Sequence, residues 1–397
     1  MHKAKPSLVF TVIALSAVMA ASLGAQPATP KPPAPPTFTS TTLQQVDSIA
    51  EAEFKRDSLG SITIGVVSGR DLVWSKSYGY LDRARRRPAT PAAVYSIASV
   101  TKQVTAIMLL QLAESRVVRL SDPVARYFPE IAEVKGGVGP HAPTLMQLAT
   151  MTSGLPRGPN DERRSSSGPL DRWVQSLMSA LPYTEFRAEP GTAYGYSNVG
   201  YAILGAALSR AAGESYVDYV RRRILRPLGM ATTDFTLSPD MRDRLATGVD
   251  YDVLYKDTLN YEDAARGHVQ GPGAYVPAGG LYSTVGDVAK LVSFELGFGP
   301  DSILLPETLA RRNAVPIVSP ELYWGYGLGV QVQRWGEVTG VGHSGNTAGY
   351  TSQLFYDLTR KYGVIVLRSA AGGQADAHRL AALGYLKLRA SLGPAPR

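Results

Sequence analysis

The chain has 397 residues, 44% of them hydrophobic, which suits one large domain or two tightly packed ones. It has no cysteine, so disulfides, a thiol nucleophile, cysteine-based metal sites and a lipid-modified N-terminal cysteine are excluded. The formal charge is +8. The basic residues are not interleaved with aromatics, so nucleic acid is not an expected partner, and the balance mildly favours anionic surroundings such as an anionic cell-wall polymer or membrane face.

Lys3 and Lys5 precede an apolar run from Leu8 to about Ala21, followed by small residues. This is the layout of a secretory signal peptide over 1–25, cleaved after Ala20 or Ala25. The run is shorter than the roughly 20 residues of a spanning helix, and no later segment would span a membrane. The expected location is therefore periplasmic or secreted. Residues 26–40 are proline-dense and without periodicity, which predicts a stiff, extended linker.

A folded domain is expected over 41–395. A helix is predicted through Leu43, Val46, Ile49, Ala50 and Phe54. Ser61 to Val67 alternates and is rich in Ile and Val, and Leu72 to Tyr80 reads as its hairpin partner across the turn at Ser68-Gly69-Arg70-Asp71. Arg83, Arg85, Arg86 and Arg87 form the densest basic cluster, read as a solvated loop. A short extended piece at Val94-Tyr95 leads to Ser99 and a buried helix of roughly four turns through Val104, Ile107 and Leu112.

Helical patterns dominate from about 116 to 271. Asp122-Pro123 starts a short helix, and Thr144 to Met151 gives another. Arg157 to Asp171 reads as a polar surface loop and a candidate flap. Asn198 to Ala212 is a helix closed by Gly213, and Tyr216 to Leu225 follows with Arg221, Arg222 and Arg223 in its last turn. Thr284 to Asp287 resembles a capping box that opens a further helix. Strands are predicted at Tyr326–Gln333, Tyr350–Asp357 and Tyr362–Leu367, with a closing helix from Ala375 to Leu392. The α+β arrangement predicted is one antiparallel sheet assembled from both chain ends, 41–115 and 272–395, with a mostly helical insertion at 116–271.

Three motifs carry candidate chemistry. Ser99 and Lys102 lie three residues apart at a helix start, on one face. Burial and the positive helix end both push such a lysine toward a neutral amine, so the pair reads as nucleophile and base. A Ser-x-x-Lys pair arises about once by chance in a chain this long, so alone it carries little. Tyr196 and Asn198 can point into one cleft, a phenol to relay a proton and a carboxamide to hold a substrate carbonyl or a lysine. The bland alternative is a core aromatic and an N-cap asparagine. His343, Ser344 and Gly345 place a hydrogen-bonding ring beside a hydroxyl, and the glycine permits close approach of a substrate backbone. Here the bland alternative is a turn with a surface histidine.

Ser99-x-x-Lys102, Tyr196-x-Asn198 and His343-Ser344-Gly345, in that order, resemble the three motifs of the penicillin-recognising serine hydrolases. The nearest group is the class C β-lactamase-like branch, with its D,D-carboxypeptidases, D-aminopeptidases and family VIII esterases. The flanks Tyr194–Tyr201, Thr150–Leu155 and Ala278–Ser283 are in the same style. The resemblance implies the β-lactamase/transpeptidase-like fold, a Ser99 acyl-enzyme, and proton transfer by Lys102 and Tyr196 without a choice between them. It implies that Asn198 orients substrate and Lys102, that His343, Ser344 and Gly345 line the substrate strand, and that the backbone N–H groups of Ser99 and Asn346 form the oxyanion hole. No cofactor or metal is expected.

Class C β-lactamases carry lysine where this chain has His343. A neutral histidine weakens the case for β-lactam hydrolysis and favours esterase, D-Ala-D-Ala carboxypeptidase or D-aminopeptidase activity on a small or peptide acyl substrate, a cell-wall peptide among them. The alternatives are a class C-like β-lactamase, or a penicillin-binding or cell-wall-sensing domain with little turnover. An α/β-hydrolase elbow fails because Gly195-Tyr196-Ser197-Asn198 is followed by Val199 instead of glycine. His141, His268, His343 and His378 are too far apart for a metal-hydrolase motif.

Overall fold

In a computed structural model the described residues are 34–82, 86–136, 142–161, 168–252, 257–260, 273–313, 317–318 and 324–393. The expected signal peptide, most of the linker, Arg83, Arg85, His141 and His268 lie outside them. Phe38 packs edge-on to Tyr362. Thr39 then caps helix α1 (Ser40–Phe54), its hydroxyl accepting from Thr42 N at 3.1 Å.

The strands are β1 (Ser61–Ser68), β2 (Asp71–Asp82), β3 (Arg87–Pro88), β4 (Tyr95–Ser96), β5 (Val249–Asp252), β6 (Asp257–Asn260) and β7 (Tyr282–Ser283). The C-terminal part adds β8 (Ile317–Val318), β9 (Trp324–Tyr326), β10 (Gln331–Trp335), β11 (Val338–Thr347), β12 (Tyr350–Asp357), β13 (Tyr362–Arg368) and β14 (Ala370–Ala371). Nine of them form one sheet in the order β3-β2-β1-β13-β12-β11-β10-β9-β8. Strand β1 pairs antiparallel with β13, Ile64 opposite Val366, so the two chain ends do build one sheet.

Both sheet faces are covered, which is why β1 and β13 are buried throughout. Ile62, Ile64, Val66, Val364 and Val366 face α1 and the closing helix Ala377–Ser391. Ile365 and Leu367 face the larger core, which holds the helix Val285–Ser293 and the middle segment. Helix α2 (Thr101–Glu114) precedes that segment, which contains α3 (Leu145–Ala149), α4 (Trp173–Ala180) and α5 (Asn198–Ala212). Helix α2 is buried from Thr101 to Leu112, so it runs through the core between sheet and insertion.

Four local expectations need correction. The stretch Tyr326–Gln333 is two strands, because Gly327 N bonds Val330 O and Gly329 turns at φ +73°. A Cβ on Gly329 would sit 2.7 Å from Lys102 O, so the turn is packed on α2. Within the expected helical segment, β5 and β6 form a hairpin whose β5 pairs in parallel with β14. The run Tyr216–Leu225 is α-helical only to Val220 and continues as a π-turn over Arg221–Leu225. At Thr284 only half of the capping box forms. Its hydroxyl accepts from Asp287 N, while the Asp287 carboxylate turns to Thr232 N, Thr233 and Lys290.

Candidate active site

Ser99 lies in a 3-10 turn, Ala98–Val100, that runs directly into α2. The residue before it, Ala98, has φ +44°, a costly conformation for a residue with a side chain. Surrounding contacts hold this bend. Ile97 N donates to Leu281 O, Ser352 Oγ donates to Ile97 O, and Thr101 Oγ1 donates to Ala98 O.

Lys102 is wholly buried. Its Nζ lies 3.0 Å from Ser99 Oγ, 2.8 Å from Asn198 Oδ1 and 2.7 Å from Ala278 O. The rings of Tyr196 and Tyr201 sit 4.9 and 5.5 Å away. Burial pushes the Lys102 pKa well below the usual lysine range, and the nearby Arg157 charge adds to the push.

Tyr196 is delivered by the loop ahead of α5. Gly195 N bonds Met151 O, and Ser197 N meets the Met151 sulfur. Ser197, and not Asn198, is the N-cap of α5: its hydroxyl accepts from Gly200 N at 2.8 Å. The Asn198 carboxamide is thereby left to reach Lys102. Tyr196 is raised to about 12 by burial, while a hydrogen bond with Ser99 and the Arg157 charge pull it back.

His343 does not line the cleft as expected. It lies within β11, and its ring is fully buried behind Tyr196 and Tyr326. Nδ1 lies 2.6 Å from Ser344 O, an acceptor, so Nδ1 carries the hydrogen and Nε2 accepts from the Tyr326 hydroxyl at 2.9 Å. Burial, with Lys102 close by, depresses its pKa to about 3, so the ring is neutral.

Strand β10 stops pairing at Gln331 opposite Gly342, so the next edge of β11 is open on that side. Gln331 Oε1 accepts from Ser344 N at 2.9 Å. Backbone N–H groups alternate between the two edges of a strand, so Asn346 N points the same way as Ser344 N, toward the cleft. Gly345 faces inward. A Cβ there would lie 2.4 Å from Ile97 O and 2.2 Å from Ser352 Oγ. Its glycine is therefore required by the bend that carries Ser99, not by an approaching substrate.

The cleft at Ser99 is a cavity of about 110 Å³, lined by Ser99, Asn198, Tyr275, Tyr282, Asn346 and Thr347 together with the 278–280 backbone. None of its lining side chains is charged. The sequence motifs thus bring Ser99, Lys102, Tyr196, Asn198 and Asn346 together, and leave His343 behind them. Sequence reasoning missed Arg157, Tyr275, Tyr326 and Gln331; only Tyr282 was signalled, by the Ala278–Ser283 flank. Among the described residues no group of three or more acidic or histidine side chains is placed to hold a metal.

The sequence model of the Beta-lactamase family matches residues 46–387. The chain belongs to this family. It is similar to a putative beta-lactamase-like 1 protein of Homo sapiens, 28% identical over 89% of this chain and 71% of that protein. It is also similar to the D-alanyl-D-alanine-carboxypeptidase/endopeptidase AmpH of Escherichia coli, 31% identical over 72% of this chain and 68% of AmpH. Protein flp of Staphylococcus aureus is 25% identical over 83% of this chain and 63% of its own length. The octameric penicillin-binding protein homologue of Pyrococcus abyssi shares the fold with TM-score 0.72 and 25% identity, over 88% of this chain and 77% of that one. The family member described here is a serine hydrolase of the penicillin-recognising superfamily, with its α+β fold.

Proposed function

We propose that the protein is an exported acyl-serine hydrolase that cleaves uncharged esters or amides, with Ser99 as nucleophile. The observation that carries this reading is the buried Lys102 amine 3.0 Å from Ser99 Oγ, depressed in pKa and bonded only to neutral acceptors. Lys102 takes the Ser99 proton as Oγ attacks the carbonyl carbon. The oxyanion is met by the N–H groups of Ser99 and Asn346. Tyr196, whose phenol stays protonated, passes a proton to the leaving alkoxide or amine and is reprotonated from Lys102. Water then attacks the acyl-enzyme, its proton leaves through the same groups, and the acid is released with Ser99 regenerated.

The uncharged cleft and the neutral, buried His343 support neutral acyl substrates over β-lactams, whose carboxylate asks for a cation beside the strand. The similarity to AmpH favours a second reading, a D-Ala-D-Ala carboxypeptidase or endopeptidase acting on cell-wall peptide. A kcat/KM panel of p-nitrophenyl butyrate, a D-Ala-D-Ala peptide, a D-amino-acid amide and a cephalosporin separates these readings. Ester turnover exceeding the others, and lost by at least about 10³-fold in Ser99→Ala, is the expected result. Turnover that survives Ser99→Ala sinks the assignment, and a stable cephalosporin adduct without any turnover would mean a binder. Export is tested by N-terminal sequencing of the secreted form, expected to begin after Ala20 or Ala25.

A further inference from the structure

Arg157 begins the polar loop that the sequence offers only as a flap, yet the structure packs it against Tyr196, beside the residues that line the cleft. Its guanidinium carbon lies 5.1 Å from the Tyr196 ring centroid. Its backbone carbonyl accepts from Asn198 N at 2.9 Å and Val199 N at 3.4 Å, and Ser197 Oγ donates to Pro156 O at 2.6 Å. The carbonyl therefore fixes the residue on the first turn of α5, while the side chain folds over the tyrosine. Cations over a tyrosine face are held there by the ring quadrupole.

We propose that Arg157 is a positioning residue for proton transfer: its charge, stacked on Tyr196, adds to burial in disfavouring the ammonium form of Lys102 and makes the Tyr196 phenol a better proton donor. The inference rests on the assignment of Ser99, Lys102 and Tyr196 made above. The other groups facing this pair do not supply such a charge. Tyr201 from α5, Tyr326 from β9 and Tyr194 from the same loop are phenols, and His343 from β11 is neutral. Arg312, from the helix Pro306–Asn313, is fully buried and paired with Glu295. Among the described residues no carboxylate bonds to Lys102 or Tyr196, so the field of Arg157 is unopposed at the site. Its effect on both groups is to lower proton affinity.

The test is the pH dependence of kcat/KM for a neutral ester, measured for the wild type, Arg157→Gln and Arg157→Lys. The activity limb that rises with pH reports deprotonation of the base. Removing a cation raises the base's pKa, so in Arg157→Gln this limb moves to higher pH. A shift of about half a unit to one unit is expected, a roughly three- to tenfold loss on the limb, with the alkaline plateau kept. Arg157→Lys restores most of the shift. Added salt screens the exposed guanidinium and moves the wild-type limb toward that of Arg157→Gln, which itself responds little. Three results overturn the proposal: an unmoved limb in Arg157→Gln, an equal loss at every pH that lysine does not rescue, or a loss confined to KM of anionic substrates. Ester turnover that persists in Ser99→Ala would instead remove the underlying assignment, whatever Arg157 does.

Discussion

Gly345→Ala tests whether the third motif acts through the nucleophile or through the substrate. A Cβ at 345 would meet Ser352 Oγ at 2.2 Å, Ile97 O at 2.4 Å and Ala98 Cβ at 3.2 Å. Ser352 cannot turn aside freely, because its hydroxyl donates to that same Ile97 carbonyl at 3.0 Å. Relief must come from the Ile97–Ala98 backbone, moved by about 1 Å, with Ser99 next in the chain. A misplacement of about 1 Å in a reacting group costs on the order of 10²-fold in rate, and overpacking a filled site costs about 1–3 kcal/mol of stability. We expect kcat for p-nitrophenyl butyrate to fall about 10²-fold, KM to change little, and the protein to remain folded with a lower Tm. If kcat stays within about threefold while KM rises tenfold, the glycine serves substrate approach and this reasoning is wrong.

Tyr196→Phe removes the phenol while keeping the ring, so kcat is expected to fall by about 10² to 10⁴ with KM nearly unchanged, in steady-state ester assays. Arg312→Met strands the Glu295 carboxylate in the core and is expected to cost about 3–5 kcal/mol in urea unfolding, whereas the double variant Arg312→Met, Glu295→Gln recovers much of it. His343, with a folded pKa of about 3 below its unfolded value, gives stability that is full above pH ~6.5 and is lost as pH falls toward 3, by about 1.4 kcal/mol per unit. Unfolding free energies measured between pH 7 and pH 4 should show a shallower acid slope in His343→Gln than in the wild type.

The sequence spoke clearly where periodicity and end signals agree. Asn198–Ala212 with its Gly213 terminator, at φ +69°, is legible because glycine alone adopts that cap without cost. Tyr350–Asp357 and Tyr362–Arg368 were legible because both strands are runs of β-branched and aromatic residues around a polar turn. The break inside Tyr326–Gln333 was not, since Gly327 and Gly329 alternate as strand residues do, and only the packing of Gly329 on Lys102 O demands a turn. The bland alternative of an N-cap asparagine fails because Ser197 takes the cap, which frees the Asn198 carboxamide for Lys102. Arg157 and Tyr326 carry no periodic or spacing signal, because they join the site through tertiary contacts across 39 and 17 or more positions of chain that no local pattern encodes. His343 illustrates the converse: the motif was visible, but whether its ring meets substrate or core depends on Tyr326, which reaches it from β9.

The three partners of Lys102 bear on which group starts the reaction. As an ammonium, Nζ donates to Ser99 Oγ, Asn198 Oδ1 and Ala278 O. As an amine, it keeps two hydrogens for Asn198 and Ala278, neither of which can donate back from those oxygens, and turns its lone pair to the hydroxyl of Ser99. The same three contacts thus serve both protonation states, with one bond reversed in direction. Proton transfer from Ser99 to Lys102 then needs no rearrangement of heavy atoms, which is the preorganisation that lowers a barrier in a buried site. Tyr196 lacks that symmetry. Burial raises its pKa to about 12, and among the described residues an anionic phenolate there would have only Arg157 as a charged support besides Lys102 itself. The proposed acylation base is therefore Lys102, with Tyr196 as the donor to the leaving group. Asn198→Ala, which takes away one of the two fixed acceptors, is then expected to lower kcat more than it raises KM. Asn198→Asp makes the opposite change. Its carboxylate pins the ammonium, raises the lysine pKa, and moves the acid limb of the pH profile upward by more than one unit. A limb that stays in place in Asn198→Asp would show that Lys102 is not the group whose deprotonation the rate follows.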